Sequence, residues 1–201
     1  MYINESINAY LNDLGAKKPA PGGGSAAALT GAIGTSLMLM VANYTIGKPK
    51  YKDVEERVTT LLAKVQKFDT ELRALIDEDV VAYERLSNSL KDVAGDEARQ
   101  DELYKVAIEP PFAVCEATHQ CLLLCKELVG CGNKLLITDT AIAAIALEAA
   151  FFSAKYNVYV NLKYIKDTDY IAKVHKILAP LEDEMPKLKE EIIELCEETI
   201  S

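Results

Sequence analysis

Apolar residues recur at spacings of three and four along most of the chain, a pattern typical of amphipathic helices. The spacing predicts a short helix over Ile3–Leu14 that Gly15 closes, and one long helix from Asp53, as its N-cap, to about Val93. No segment shows the period-two alternation that indicates a strand. The chain is therefore predicted to be an all-α helical bundle of about six to eight helical segments.

Two segments are apolar on every side, and they run from Ser25 to about Ile46 and from Thr140 to about Tyr164. A helix of this kind is normally buried on all sides, so we expect two very apolar central helices. Their length also allows a membrane-embedded helical protein as an alternative. The Gly, Ala, Ser and Thr content of the first segment favours the core of a bundle instead.

Glycines and prolines predict where the helices end. A proline inside a helix removes one hydrogen bond and clashes with the preceding turn, so internal prolines are expected to break helices. Thr138-Asp139 and Asp167 are predicted to begin the last two helices. The predicted breaks, in chain order, are Gly47-Lys48-Pro49, Ala94-Gly95-Asp96, Pro110-Pro111, Gly130-Cys131-Gly132, Pro180 and Pro186.

Composition limits the class of protein. The 201 residues suffice for one buried core, so we expect a single domain over 1–201. A net charge of -9 argues against a nucleic-acid partner. Five cysteines without a framework spacing indicate reduced thiols and a cytoplasmic location, and the first residues lack the features of a signal peptide. The helix from Asp53 would span about 60 Å, which predicts a partner subunit or a kink.

The most informative motif is Pro19-Ala20-Pro21-Gly22-Gly23-Gly24-Ser25, and we call its last five residues, from Pro21 to Ser25, the glycine turn. It leads directly into a helix, whose free N–H groups and dipole favour an anionic or carbonyl-bearing ligand. The alternative is a flexible linker. No strand precedes the motif and no Lys-Ser/Thr follows it, so a nucleotide-binding P-loop is not indicated.

Two aspartates are candidate catalytic residues. Asp79 falls where the apolar stripe of the long helix calls for a core residue, and a buried carboxylate needs a partner or a function. The alternatives are an ion pair with Arg or Lys, or a rotation that puts Val80 in the core. Asp139 has a simpler alternative, which is to cap the helix that follows it.

Several polar residues are candidates for binding. Asn157 and Asn161 lie four apart on one face of an apolar helix, which indicates recognition of a polar group or an interhelical network. Lys48, Lys50 and Lys52 form either a solvated loop or a patch for an acidic ligand.

Metal and nucleophile chemistry find little support in the sequence. The only metal-like grouping is a set of four residues whose i, i+4 pairs point to different faces of one helix, so we expect no metal site. Two histidines give little support to a Ser-His-Asp or Cys-His unit. The four residues are Cys115, His119, Cys121 and Cys125.

Taken together, the motifs resemble the cyclodeaminase/cyclohydrolase family of folate enzymes over nearly the whole chain. The family includes the cyclodeaminase domain of formiminotransferase-cyclodeaminase and stand-alone bacterial methenyltetrahydrofolate cyclohydrolases. The sequence departs from the family pattern at two places, where Leu135 replaces an Asn and Thr138 replaces a Ser. The motifs that carry the resemblance are the glycine turn, Thr45-Ile46-Gly47-Lys48, Asp79-Val80-Val81-Ala82-Tyr83, Pro110, Gly132-Asn133, Thr138-Asp139 and Asn157-Val158-Tyr159-Val160-Asn161.

The resemblance implies an all-helical homodimer that binds a tetrahydrofolate derivative as substrate near the subunit interface, without a metal or other cofactor. It implies hydrolysis of 5,10-methenyltetrahydrofolate to 10-formyltetrahydrofolate, with Asp79 and Asp139 as the catalytic carboxylates. Lys48 would face the glutamate tail of the folate. The implied substrate-binding residues are Pro21, Gly22, Gly23, Gly24, Ser25, Lys48, Tyr83, Asn133, Thr138, Asn157 and Asn161.

Two other functions remain open from the sequence. Formiminotetrahydrofolate cyclodeaminase chemistry, in which ammonia leaves as the ring closes, would use the same residues. A non-catalytic helical folate-binding or interaction protein would keep the fold, and Leu135 is the residue that best supports it.

Overall fold

The computed structural model describes residues 1–201 and contains six α-helices and no strand. The prediction of an all-α bundle is confirmed. Short 3₁₀ turns at Tyr2–Asn4, Pro49–Val54 and Lys134–Leu136 accompany them. The helices are α1 (Ile7–Leu14), α2 (Gly23–Asn43), α3 (Glu55–Ser89), α4 (Glu97–Cys131), α5 (Ile137–Leu162) and α6 (Thr168–Ile200).

Helix α4 lies at the centre of the bundle, because it packs against α2, α3, α5 and α6. Helices α2 and α5 pack along each other in opposite directions, and glycines allow their close approach. A Cβ at Gly34 would lie 2.9 Å from Cγ of Leu147, which shows how little space separates the two helices. One hydrophobic core of 39 buried residues joins all six helices.

The expectation that α2 and α5 are covered on all sides is wrong. Each has the length and composition of a membrane span, but only 56% of the apolar window of α2 and 39% of that of α5 is buried. Both helices pack against α4 and against each other, and each leaves one side partly open. The exposed apolar residues on this side include Ile33 of α2 and Ile142, Ile145, Tyr156 and Val160 of α5.

The predicted breaks at prolines are also wrong. Helix α4 continues through Pro110 and Pro111, and α6 continues through Pro180 and Pro186. Each internal proline costs on the order of 3 kcal/mol in helix stability. Pro110 and Pro111 are buried, and the packing of both halves of α4 against its neighbours outweighs that cost.

Helix starts differ from the predictions in three places. The N-terminal helix begins after Ser6, whose hydroxyl accepts the N–H of Ala9, and not at Ile3. Asp53 lies in a 3₁₀ turn, and Val54 is the N-cap of α3. Asp139 lies in the first turn of α5 and does not cap it, because Leu136 occupies the N-cap position.

The length of α3 does not by itself require a partner subunit. Helix α3 has 35 residues, about 52 Å at the usual rise per residue. Helix α4 also has 35 residues and packs along α3, so the bundle covers the long helix without a second chain.

Candidate active site

A cavity of about 190 Å³ opens at the end of the bundle where α2 begins and α5 ends. Asp79 is the only ionisable acid or base in its wall, apart from the phenol of Tyr83. We call this space the Asp79 cavity. Its lining residues are Pro19, Ala20, Gly22, Gly23, Gly24, Asp79, Tyr83, Ala107, Asn157 and Asn161.

The glycine turn positions the carboxylate of Asp79. The backbone N–H of Ser25 donates a hydrogen bond of 2.8 Å to Oδ2 of Asp79. A Cβ at Gly24 would lie only 2.0 Å from Oδ1 of Asp79, so the contact requires glycine at this position. A carboxylate of α3 therefore takes one of the free N–H groups at the start of α2, and the predicted binding of a ligand by the glycine turn stays a prediction.

The carboxylate of Asp79 has no cationic partner. No Lys, Arg or His lies within ion-pair distance of it, which excludes the ion pair considered as an alternative. Val80 does not replace it in the core, since both residues are half-buried. Burial raises the pKa of the Asp79 carboxyl above its ordinary value, and the hydrogen bond from Ser25 opposes this rise only in part. A carboxylate of this kind is a stronger proton acceptor than an exposed one.

Asn157 and Asn161 form the opposite wall of the cavity. Each side-chain amide donates one hydrogen bond to the backbone one turn earlier, Asn157 to Ser153 and Asn161 to Asn157. These bonds fix the two side chains and leave both carbonyl oxygens without a protein donor. Asn157 also packs against the glycine turn, because a Cβ at Gly23 would lie 3.2 Å from its Nδ2.

Other predicted binding residues take different positions around the cavity. Tyr83 lies one turn after Asp79 on α3 and is 44% exposed at the cavity wall. Pro21 is buried, follows Ala20 through a cis peptide bond and does not line the cavity. Ser25 is fully buried, and its hydroxyl faces Tyr10 and not the cavity.

A second group of predicted residues lies at the opposite end of the bundle. Asp139 and Asn157 are 18 residues apart on α5, which corresponds to about 27 Å. Asp139 is half-buried, and Lys48 and Thr138 are exposed. Within one subunit the two carboxylates that the resemblance implies as catalytic therefore do not share a cavity.

Asn133 has a structural role at this second end. Its side chain accepts hydrogen bonds from the hydroxyl of Tyr51 and the N–H of Leu135, and it donates to the carbonyl of Tyr44. Its own N–H donates to Thr45. These bonds hold together the loops that precede α3 and α5.

The cysteine grouping on α4 is part of the core. All five cysteines are free and buried, and no cluster of three His, Cys, Asp or Glu side chains has the arrangement of a metal site. His119 Nε2 lies 3.0 Å from Oε2 of Glu184 on α6. Burial raises the pKa of the Cys115, Cys121 and Cys125 thiols, so these residues are held as neutral thiols.

Four residues near the site were not predicted as binding residues. Pro19 and Ala20 belong to the motif that ends at Ser25 but carry no functional group, and Ala107 gives no chemical signal in the sequence; all three line the cavity. Tyr10 contacts Ser25 from α1, and its position among the apolar residues of that helix made it look like an ordinary core residue.

The fold and the cavity define an all-helical protein that presents an unpaired carboxylate and two amides to a small ligand. A family model described as formiminotransferase-cyclodeaminase matches residues 6–179. The chain is 33% identical over 98% of its length to methenyltetrahydrofolate cyclohydrolase of Methylorubrum extorquens, of which it covers 99%. It is 29% identical to the formimidoyltransferase-cyclodeaminase of Mus musculus, of which it covers 34%.

A solved structure shows the same fold. The crystal structure of formiminotetrahydrofolate cyclodeaminase from Thermotoga maritima matches with a TM-score of 0.93 over 100% of both chains, at 26% sequence identity. The chain belongs to the formiminotransferase-cyclodeaminase family, and the resemblance found in the sequence is confirmed.

Proposed function

We propose that this chain is a folate one-carbon enzyme that hydrolyses 5,10-methenyltetrahydrofolate to 10-formyltetrahydrofolate. The observation that carries the proposal is the half-buried carboxylate of Asp79, which has no ion-pair partner and lies in a cavity lined by no cationic side chain. The methenyl compound has a cationic N5–CH–N10 bridge, and a negative group without a counter-ion is complementary to it. The relative from Methylorubrum extorquens supports hydrolysis as the reaction.

In this mechanism Asp79 first stabilises the cationic bridge and then acts as a general base. Water attacks the bridge carbon, and a proton of that water passes to Asp79 as the C–O bond forms. The C–N5 bond then breaks as the hydroxyl group on the carbon loses its proton and becomes the formyl C=O. N5 takes the proton held by Asp79, the hydroxyl proton passes to solvent, and the formyl group remains on N10. A positioned base of this kind contributes about 10²- to 10⁴-fold to the rate.

Asn157 and Asn161 would orient the substrate. Their free carbonyl oxygens accept hydrogen bonds, and each amide keeps one N–H for an acceptor. The N–H groups of Gly23 and Gly24 have no partner within α2 and can bind a carbonyl of the pterin. Tyr83 would cover the ring at the cavity mouth.

The Asp79 cavity is too small for a whole folate, because ligand cavities usually measure about 300–1,000 Å³. The open face of α5 supports a homodimer in which a second copy encloses the rest. Its exposed residues recur at spacings of three and four and are mainly apolar, an arrangement that normally marks an interface. They are Thr138, Ile142, Ile145, Ala149, Ser153, Tyr156 and Val160, and Leu135 continues the row just before the helix.

A two-fold axis near Ala149, the middle of α5, would pair the two copies of this helix in opposite directions. Asp139 lies ten residues before Ala149, and Tyr159 lies ten residues after Ala149. Asp139 of one subunit would therefore face the position of Tyr159 on the other. That position is flanked by Asn157 and Asn161. The partner subunit's Asp139 and Thr138 would thus meet the Asp79 cavity, with the partner's Lys48 and Asn133 further out toward the glutamate tail.

Hybrid dimers test this arrangement. Asp79→Asn and Asp139→Asn chains with different affinity tags are co-expressed, and the hybrid is purified through both tags. Each single variant should be nearly inactive, whereas a hybrid keeps one intact composite site of two and should show about half of the wild-type activity. A hybrid without activity, or an Asp139→Asn variant with full activity, would exclude the composite site.

A second candidate is formiminotetrahydrofolate cyclodeaminase, the named activity of the matching Thermotoga maritima structure. In that reaction N10 attacks the formimino carbon and ammonia leaves. The two functions are separated by measuring kcat/KM of the purified wild type for both substrates. Hydrolysis of the methenyl compound is expected to have the higher kcat/KM. A higher kcat/KM for ammonia release would reverse the assignment. If neither substrate is turned over, a non-catalytic binding or interaction protein would be favoured.

We propose that residues 1–201 form one catalytic domain in the cytoplasm. The single core of 39 residues supports one domain, and five free cysteines support a reducing compartment. We propose no metal, no further cofactor and no nucleic-acid or membrane partner. In the proposed dimer, the apolar faces of α2 and α5 are covered by protein.

A further inference from the structure

Tyr10 of α1 reaches into the core beside the glycine turn. Its side chain is only 4% exposed, and its hydroxyl lies 3.1 Å from Oγ of Ser25, which is fully buried. Neither hydroxyl has another hydrogen-bond partner. A buried hydroxyl that loses its only partner is costly, so each of these two groups holds the other in place.

Ser25 links Tyr10 to the candidate base. While the Ser25 hydroxyl contacts Tyr10, the Ser25 N–H donates to Oδ2 of Asp79 at 2.8 Å. Tyr10 itself makes no hydrogen bond to Asp79, and it does not line the Asp79 cavity. The hydrogen-bonded path from Tyr10 to the carboxylate therefore runs through Ser25.

The N-terminal segment is attached to α3 close to Asp79. The N–H groups of Tyr2 and Ile3 both donate to the buried carboxylate of Asp77, two residues before Asp79. The rings of Tyr2 and Tyr10 meet edge to face with 5.5 Å between their centroids. Residues 1–14 thus connect the start of α2 to the turn of α3 that carries Asp79.

We propose that Tyr10 is a positioning residue for the reaction at Asp79. It fixes the Ser25 hydroxyl, so that the Ser25 N–H stays aimed at the carboxylate and keeps it in its reactive orientation. The kinetic consequence of this role rests on the proposed function, whereas the effect of Tyr10 on the pKa of Asp79 does not.

The variant Tyr10→Phe removes only the hydroxyl. A weaker hydrogen bond from Ser25 destabilises the charged form of Asp79, so the pKa of Asp79 should rise. We expect the acid limb of the kcat/KM profile to move upward by about one pH unit. Because the carboxylate also loses its fixed orientation, kcat at neutral pH should fall about tenfold. A purely structural role would lower the melting temperature without moving the acid limb.

Matched variants separate the alternatives. Ser25→Ala keeps the backbone N–H but removes the contact with Tyr10, so it should show the same upward shift, and the double variant should be no worse than either single one. Tyr2→Phe removes a hydroxyl that donates to Asp13 and, at 3.5 Å, to the backbone carbonyl of Ala20, but does not contact Ser25, so the pKa of Asp79 should keep its wild-type value. Tyr2→Phe thus controls for loosening of the N-terminal segment.

The decisive readout is an NMR titration of Asp79 in protein with ¹³C-labelled aspartate carboxyls, because it needs no turnover. An upward shift of the Asp79 pKa in Tyr10→Phe is expected. If Tyr10→Phe does not fold, the titration of Ser25→Ala decides. An unchanged Asp79 pKa in the folded variants overturns the inference, whereas a shifted pKa in a protein that turns over neither folate overturns the proposed function alone.

Discussion

Replacing Gly24 with alanine tests whether the contact between the glycine turn and Asp79 controls the reaction. The added Cβ would lie 2.0 Å from Oδ1 and 2.6 Å from Cγ of Asp79, distances at which the carboxylate cannot remain in place. Asp79 would have to move by roughly 1 Å or more to restore ordinary contact, and a displacement of that size at a reacting group can lower the rate about 100-fold.

Gly24→Ala is expected to lose only a small part of its free energy of unfolding, although its reaction rate falls strongly. Alanine favours a helix over glycine by about 1 kcal/mol. Loss of the hydrogen bond from Ser25 to a charged group costs about 1.5–3 kcal/mol. The net loss in the free energy of unfolding is therefore about 0.5–2 kcal/mol, which leaves the protein folded.

The assay compares kcat/KM for 5,10-methenyltetrahydrofolate with urea unfolding of the same samples. The control is Gly130→Ala, the same substitution in α4 at a position where the new Cβ meets nothing within 4 Å. The control should keep its kcat/KM and gain slightly in stability. Wild-type kcat/KM in Gly24→Ala would refute the role assigned to this contact.

Three further predictions concern stability and assembly. A carboxyl group whose pKa is raised by folding stabilises the protein below its unfolded pKa of 3.8, and this stabilisation is lost as pH rises through the folded pKa. The free energy of unfolding of Asp79→Asn, measured from pH 4 to 8, should therefore gain on that of wild type as pH rises. A difference that stays constant with pH would contradict this. Gly34→Ala should lower the free energy of unfolding by about 1–3 kcal/mol in urea, because its Cβ would meet Leu147 and the carbonyl of Ala143; an unchanged midpoint would contradict this. Ile145→Lys, at a residue 51% exposed in one subunit, should shift the molecular mass in light scattering from dimer to monomer while circular dichroism stays unchanged; a dimer that persists would place the interface elsewhere.

Much of the fold could be predicted from the sequence because helix periodicity is a local property. The apolar stripe through Val58, Leu61, Val65 and Leu72 is buried as the spacing indicated. The prolines gave a wrong prediction because their destabilising effect on a helix is local, whereas the packing that offsets it involves residues distant in sequence. Pro110 breaks an isolated helix but not one held between α3 and α5.

The site was predicted in part for a similar reason. Residue type and spacing indicated the glycine turn, Asp79, Asn157 and Asn161, and the structure gathers these around one cavity. The sequence does not reveal that the Ser25 N–H is taken by Asp79, because 54 residues separate the two groups. The sequence did place Asp139 at the start of the helix that carries Asn157 near its end. It does not reveal that Asp79 lies beside Asn157 and far from Asp139, because that depends on tertiary packing.

The measurement that tests the central claim most directly is kcat/KM for 5,10-methenyltetrahydrofolate in wild type and Asp79→Asn, with both proteins shown to be folded. The account predicts turnover well above the uncatalysed rate for wild type and a loss of about 10²- to 10⁴-fold when the carboxylate becomes an amide. Equal activity in the two proteins would contradict the claim that Asp79 is the base, and no activity in wild type would contradict the enzyme itself.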